Sequence, residues 1–240
     1  MHSQHRTAGS LTAKFIDHLP YYRQEQQFKR LGIELARTLM CRWAMQVASA
    51  CQPLFNQLQD ELQDSDYINI DEITVQVVKE PGPDPTTKSY MWLFRRGDPH
   101  RQVLLYQYHP TRSGDVVRDD LGDFKGYVQT DGYAGDDFLD HRKDIQHIGC
   151  LVHARRTFAD IVKAQGKKAK PGSAHKGVAF FSKLYKKKKM CRDEHLPPEE
   201  IYQRNQKHSK PILDDLKSWL EKKIEQVPTK TAVDPIDWTA

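Results

Sequence analysis

Gly126-Tyr-Val-Gln-Thr-Asp-Gly-Tyr-Ala-Gly135 is the stretch on which the reading of the fold turns. Tyr127, Val128 and Thr130 favour a strand, and glycines on both sides mark its ends. Asp131 then stands where the strand gives out, and Gly132 frees the backbone to turn behind it. A carboxylate at a strand end is well placed to project into a cleft, although Asp-Gly is also an ordinary turn pair. A second stretch upstream adds weight: Tyr67-Ile-Asn-Ile-Asp-Glu-Ile-Thr-Val-Gln-Val-Val78. Ile68 and Ile70 alternate before Asp71 and Glu72, and Ile73, Val75 and Val77 alternate after them, so the strand pattern breaks at the two acids.

Working outward, Ser89–Arg95 and Gln102–His109 read as two more strands. They follow the first through the turn-rich loop 80–88 and the connection Arg96-Gly-Asp-Pro-His100, which predicts an antiparallel meander. Residues 111–121 read as a short helix with Ser113 as N-cap. Ile145–Val152 is a fifth strand, and His153–Lys163 a helix. Three meandering strands, a helix, a strand, a short helix, a strand and a helix is the order of a ribonuclease-H-like α/β fold. In such a mixed sheet the first and fourth strands are neighbours, which brings Asp71 and Asp131 together across sixty residues.

The flanks differ in character. Residues 1–10 read as a loose leader, and the remainder of 1–64 as a helical region. A helix from Tyr21 stops at Gly32, and a long one from Ala36 carries Trp43, Val47, Leu54, Leu58 and Leu62 at helical spacing. Pro53 is expected to kink or split it. With Arg37 and Arg42 early in the second member, the pair reads either as a helix-turn-helix entering a DNA groove or as a plain helical hairpin. Residues 65–163 form the expected catalytic core, and 164–240 a lysine-rich loop followed by helices over 178–191, 197–207 and 209–226. The net charge is only +5, yet ten lysines and no acid fall between Lys163 and Lys189. That asymmetry points to a polyanion, with Lys186, Lys187, Lys188 and Lys189 as phosphate contacts, or else to a solvated helix face. No apolar run approaches the ~20 residues of a membrane helix. Four cysteines without framework spacing suggest a reducing, cytoplasmic setting.

Two aspartates meeting from neighbouring strands repel each other unless a cation stands between them. Hard divalent ions such as Mg²⁺ or Mn²⁺ are their natural partners. A pair of such ions activates a water or hydroxyl and stabilises the leaving oxygen at a phosphodiester.

Several stretches carry a resemblance that fits this chemistry. They are His18-Leu-Pro-Tyr-Tyr-Arg-Gln-Glu-Gln26, Asp71-Glu-Ile-Thr-Val75, Lys88-Ser-Tyr-Met-Trp92, Ser113-Gly114, Gly122-Asp-Phe-Lys-Gly-Tyr127, Gln129-Thr-Asp-Gly-Tyr-Ala-Gly135 and Gly149-Cys-Leu-Val-His-Ala-Arg-Arg156. In this order they resemble bacterial DDE transposases of the insertion-sequence-66 family, over roughly residues 11 to 230. The resemblance implies a Mg²⁺-dependent (or Mn²⁺-dependent) transposase acting on insertion-sequence ends and target DNA. It implies Asp71 and Asp131 as catalytic metal ligands, and oligomers or accessory proteins of the same element as partners. It also marks His153 as a DNA-positioning residue and Arg155 and Arg156 as phosphate contacts; Cys150 is expected in the core.

The chain departs from the family pattern at both ends. The family's leucine-zipper-like helix and cysteine-rich segment lie upstream, and its third carboxylate, a glutamate after an Asn-Asn pair, has no counterpart before Ala240. Glu199, Glu200, Glu221 and Glu225 are the late alternatives and read as solvated helix charges. Two further readings follow: a catalytically incomplete fragment that binds DNA or a partner without cutting, and a free-standing nuclease whose third acid lies within the chain.

Overall fold

The computed structural model describes residues 2–77, 87–97, 101–166 and 170–225. Most of the expected loop 80–88, the connection at 98–100, part of the lysine-rich loop (167–169) and the whole tail from 227 lie outside the described residues. The chain divides into two compact units, Met1–Glu61 and Leu62–Ala240.

The first unit is helical: α1 (His2–Phe15), α2 (Tyr21–Arg30) and most of α3 (Arg37–Gln63). The loose leader expected over residues 1–10 is instead the body of α1. Its anchor is Ser10, which is buried and donates from Oγ to Gln24 Oε1 at 2.7 Å. Gln24 of α2 is itself buried and donates back to the carbonyls of Ser10 (3.1 Å) and Leu19 (3.0 Å). This long-range polar exchange leaves no mark on the hydrophobic pattern. After α2 the amide of Ile33 reaches the carbonyl of Phe28 at 2.9 Å while Gly32 takes φ 72°, a Schellman-type stop. Six residues, 31–36, separate α2 from α3, more than the three or four of a helix-turn-helix. Pro53 does not split α3, which is continuous through it.

The second unit is built on a five-stranded mixed sheet in the order β3-β2-β1-β4-β5. Its strands are β1 (Tyr67–Gln76), β2 (Lys88–Arg96), β3 (Leu104–His109), β4 (Gly126–Thr130) and β5 (Ile145–Gly149). The first three form the antiparallel meander, and β4 and β5 join in parallel. Between them run α4 (Gly114–Leu121) and a 3-10 helix (Ala134–His141). Ser113 caps α4 by accepting the amide of Asp115 at 3.3 Å.

Pairing of β1 with β2 runs in unbroken register from Ile68↔Arg96 to Gln76↔Lys88. There is thus no break at Asp71 and Glu72. The sequence changes which side of the strand is apolar, and the backbone stays regular. Ile68 and Ile70 point into the core with Trp92, Phe94, Leu105 and Val128, whereas Ile73 faces outward, 64% exposed. Alternation fixes the consequence: Glu72 shares the core-side face with Ile68 and Ile70, and Asp71 takes the opposite face.

The remaining helices are α5 (Leu151–Gln165), α6 (Ser173–Asp193), α7 (Pro198–Arg204) and α8 (Lys210–Ile224), with a π-helical turn (Asn205–Ser209) joining the last two. β5 is therefore shorter than expected and α5 begins earlier. α6 begins within the expected lysine-rich loop, and the two C-terminal helices form one helical run. Phe158, Phe181, Leu184 and Leu216 make their core, with Trp219 against it. Gly177 permits the close approach of α6 to α5, since a Cβ there would lie 2.5 Å from the Phe158 ring.

Candidate active site

The ladder between β1 and β4 runs from Tyr67↔Tyr127 to Asn69↔Gln129. Asp71 and Asp131 each lie two residues past its last pair. β4 stops at Thr130 while β1 runs on to Gln76, so beyond the end of β4 the edge of β1 that paired with it is open. A cleft of about 540 Å³ occupies this place, lined by Asp71, Glu72, Arg112, Asp131, His153 and Arg156 among others.

Asp131 is held on two sides. Its Oδ1 accepts the amide of Tyr133 at 3.0 Å, a turn made possible by Gly132 at φ 84°. Its Oδ2 lies 3.2 Å from Arg112 Nη2. Arg112 also donates from Nε to Glu72 Oε1 at 2.5 Å and contacts the same oxygen through Nη2. The guanidinium lies over the Tyr133 ring, 3.7 Å from its centroid, and the Tyr133 hydroxyl donates to the Arg112 carbonyl at 3.2 Å. The Glu72 side chain is only 6% exposed. Burial first, and Asp131 second, push its carboxyl up against the pull of Arg112. Burial also works against the charge of Arg112, but Glu72 and Asp131 raise its pKa all the same.

A second acid stands behind this group. Asp136 on the 3-10 helix is 1% exposed, and among the described residues its Oδ1 has no hydrogen-bond partner. Burial, Asp131 and Glu72 together push its carboxyl up to about 6. Next to it Thr130 Oγ1 and His147 Nε2 are 2.9 Å apart, and His147 Nδ1 and Asp140 Oδ1 2.6 Å. This hydroxyl–imidazole–carboxylate row has the order of a nucleophilic triad. Thr130 is 2% exposed, however, so the row braces the end of β4 and offers no substrate an attacking oxygen.

Asp71 is supported far less. Its Oδ1 accepts the amide of Glu72 at 2.9 Å, and its Oδ2 lies 4.0 Å from His153 Nε2. Register places Leu93 and Tyr106 in the same row across the sheet.

Of the other residues singled out from sequence, His153 and Arg156 share the cleft with both aspartates. Arg155 turns away, 6.0 Å from the Tyr185 ring centroid. Lys186, Lys187, Lys188 and Lys189 are consecutive on α6, so at 100° per residue they sweep most of the way round the helix. Arg37 and Arg42 are exposed at the start of α3 in the first unit. Glu199, Glu200, Glu221 and Glu225 are exposed, and none lines the cleft. Cys150 is half-buried at the start of α5, and all four cysteines are free.

Glu72, Arg112, Tyr133, Asp136 and His147 belong to the site without being marked as functional by any local motif. Glu72 had a usable signal: strict alternation from Ile68 and Ile70 puts it on the core face, where an acid requires a partner. Arg112 had none, because its partners lie forty and nineteen residues away.

Asp71 and Asp131 offer the hard oxygen donors that divalent ions take, and Mg²⁺ is commonly held by one or two carboxylates together with water and substrate phosphate. The donor chemistry fits an ion completed by water and a phosphate group. Among the described residues no three His, Cys, Asp or Glu side chains are grouped to hold a metal by themselves.

A mixed α/β unit with paired carboxylates at the end of a central parallel strand pair is suited to metal-assisted phosphate chemistry. A family model described as "Transposase IS66 family" matches residues 1–236, and the chain belongs to that family. It is similar to three uncharacterised proteins of Sinorhizobium fredii. To y4qI it is 31% identical over 161 residues, 62% of this chain and 30% of that protein. To y4jD it is 27% identical over 237 residues, 94% and 45% of the two chains, and to y4hP 24% over 249 residues, 96% and 44%. The chain thus spans less than half the length of these relatives. No solved structure matches it. Among the described residues no helix is long and apolar enough to cross a membrane.

Proposed function

We propose that this chain is the central part of a DDE transposase. Its sheet is a ribonuclease-H-like core, and Asp71 and Asp131 hold Mg²⁺ or Mn²⁺ for strand cleavage and transfer at insertion-sequence ends. The observation that carries the reading is the shared cleft: two acids sixty residues apart flank the end of one parallel strand pair. The metal's contribution is to activate the attacking oxygen and stabilise the leaving one. His153 and Arg156, in the same cleft, contact the DNA backbone beside the scissile phosphate. Arg155, Arg37, Arg42 and Lys186–Lys189, none of which lines the cleft, add phosphate contacts that are sequence-independent and steeply salt-dependent. On this reading residues 65–163 are the catalytic core, and the helical region 1–64 and the lysine-rich segment 164–240 are its flanks. Copies of the chain or other proteins of the element complete the assembly on DNA in the cytoplasm.

A second reading, a chain that binds DNA without cutting it, draws support from the lack of a three-acid group among the described residues. One experiment separates the two. Mg²⁺-dependent nicking of duplex DNA is measured for the 240-residue chain and for the chain extended to the length of its relatives. The extended protein should nick DNA, and Asp71→Asn or Asp131→Asn should each abolish nicking while duplex binding persists. Nicking that survives both substitutions overturns the assignment of the two acids. An extended protein that binds but never nicks favours the second reading.

A further inference from the structure

We propose that Arg112 is a resident cation of the cleft, seated on the carboxylate that a divalent ion has to reach, so that metal gains Asp131 only by displacing it. The inference rests on the reading of Asp131 as a metal ligand. Its basis is occupancy. Asp131 Oδ2 has Arg112 Nη2 at 3.2 Å, and Oδ1 has the amide of Tyr133 at 3.0 Å. An ion arriving at Oδ2 would stand within a few ångströms of a guanidinium on the same oxygen, and like charges that close make the two alternative occupants.

The seat of Arg112 is built from three directions. Glu72, 6% exposed, takes Nε from the core face of β1. The Arg112 guanidinium carbon lies over the Tyr133 ring, 3.7 Å from its centroid, and the Tyr133 hydroxyl donates to the arginine's own carbonyl. Glu72 is thus the counter-ion that keeps Arg112 in place. It lies on the opposite face of β1 from Asp71 and is not the missing third ligand. A guanidinium is also a planar fork that matches phosphate oxygens. A DNA phosphate entering the cleft is therefore the group chemically suited to draw Arg112 off Asp131.

The test is Mn²⁺ binding by the 240-residue chain, followed through the paramagnetic resonance signal of the free ion. Arg112→Gln should bind Mn²⁺ at least about tenfold more tightly than the unchanged chain, as expected when one positive charge leaves an adjacent site. Adding Asp131→Asn should remove the gain. Since Arg112→Gln strands a buried acid, the double variant Glu72→Gln/Arg112→Gln is measured beside it. That variant removes the pair as a unit, leaves the net charge unchanged while freeing Asp131 Oδ2, and should keep part of the gain. Arg112→Lys, which retains the charge, should bind as weakly as the unchanged chain. An affinity in the double variant equal to or below that of the unchanged chain overturns the proposal. If Mn²⁺ binding is lost on Asp131→Asn yet indifferent to Arg112, this inference alone fails. If no variant shows binding that depends on Asp131, the metal-ligand reading fails with it.

Discussion

The two walls of the cleft present the same functional group in opposite settings. Asp131, its side chain 23% exposed, is tied to Arg112 and to the backbone of its own turn. Behind it stand the Thr130–His147–Asp140 row and the buried Asp136. Asp71, 47% exposed, accepts one local amide and faces His153 across 4.0 Å. One carboxylate belongs to a network that crosses the sheet, whereas the other rides on a strand. A substitution at Asp131 should therefore be felt in folding, and one at Asp71 only in chemistry.

The sharpest way to break this contrast is to remove the charge that joins the walls. Arg112→Ala leaves Glu72 buried without its partner and should lower unfolding free energy by about 3–5 kcal/mol, the usual cost of breaking a buried pair from one side. Adding Glu72→Gln should restore most of the loss. Urea unfolding of the two variants measures both, and a loss below about 1 kcal/mol would mean that water already screens the pair.

Asp136 gives the next effect, with a definite sign. Its carboxyl lies near 6 in the folded chain against an ordinary 3.8, so the folded state binds the proton more tightly. Its contribution to stability is intact below about pH 4, declines as pH rises toward 6, and is fully lost above. Asp136→Asn should thus leave stability nearly unchanged at pH 4. At pH 7.5 it should raise stability by up to about 3 kcal/mol, from 1.36 kcal/mol per pKa unit. Equal effects at the two pH values would show that the acid is not strained by its neighbours.

The smallest effect belongs to the other wall. Asp71→Asn should change unfolding free energy by no more than about 0.5 kcal/mol, as for exposed sites away from special features. The same variant should lose whatever divalent-ion binding the cleft has. A large stability change would make Asp71 a structural residue like its counterpart.

The elements that were legible in the sequence are those written in local pattern. The meander, the strand at Tyr127–Thr130 and the cap at Ser113 follow from alternation, turn residues and a hydroxyl at the right offset. From strand order came the adjacency of β1 and β4, and with it the cleft. The rest depends on contacts between distant residues. The apolar phase shift after Asp71 resembles a break, yet the backbone is regular and Ile73 faces outward on the same side as the acid. The N-terminal half of α1 reads as a leader because a buried Ser10–Gln24 exchange, and not an apolar stripe, fastens it. The lysine run at 186–189 looked like one patch in the sequence, but helical rotation spreads it around α6.

The unequal lengths of β1 and β4 give the cleft a mechanical side. Past Asn69↔Gln129, β1 loses its β4 neighbour and keeps β2, itself backed by β3, so Asp71 sits on the open edge of a three-stranded ribbon anchored at that rung, while Asp131 sits on the sheet's braced end. At about 3.3 Å per residue Asp71 lies roughly 7 Å beyond the anchor, and flexing the ribbon by about 10° carries its Cα through about 1 Å. The gap between the two acids is then an elastic quantity, set by the stiffness of a ribbon. Spin labels at exposed Ile73 and Tyr127 should show a broader spread of distances without divalent ion than with it, and an equal spread would make the ribbon rigid. On this geometry an ion held by both acids would act as a brace on a cantilever, with Asp71 on the free wall and Asp131 on the fixed one.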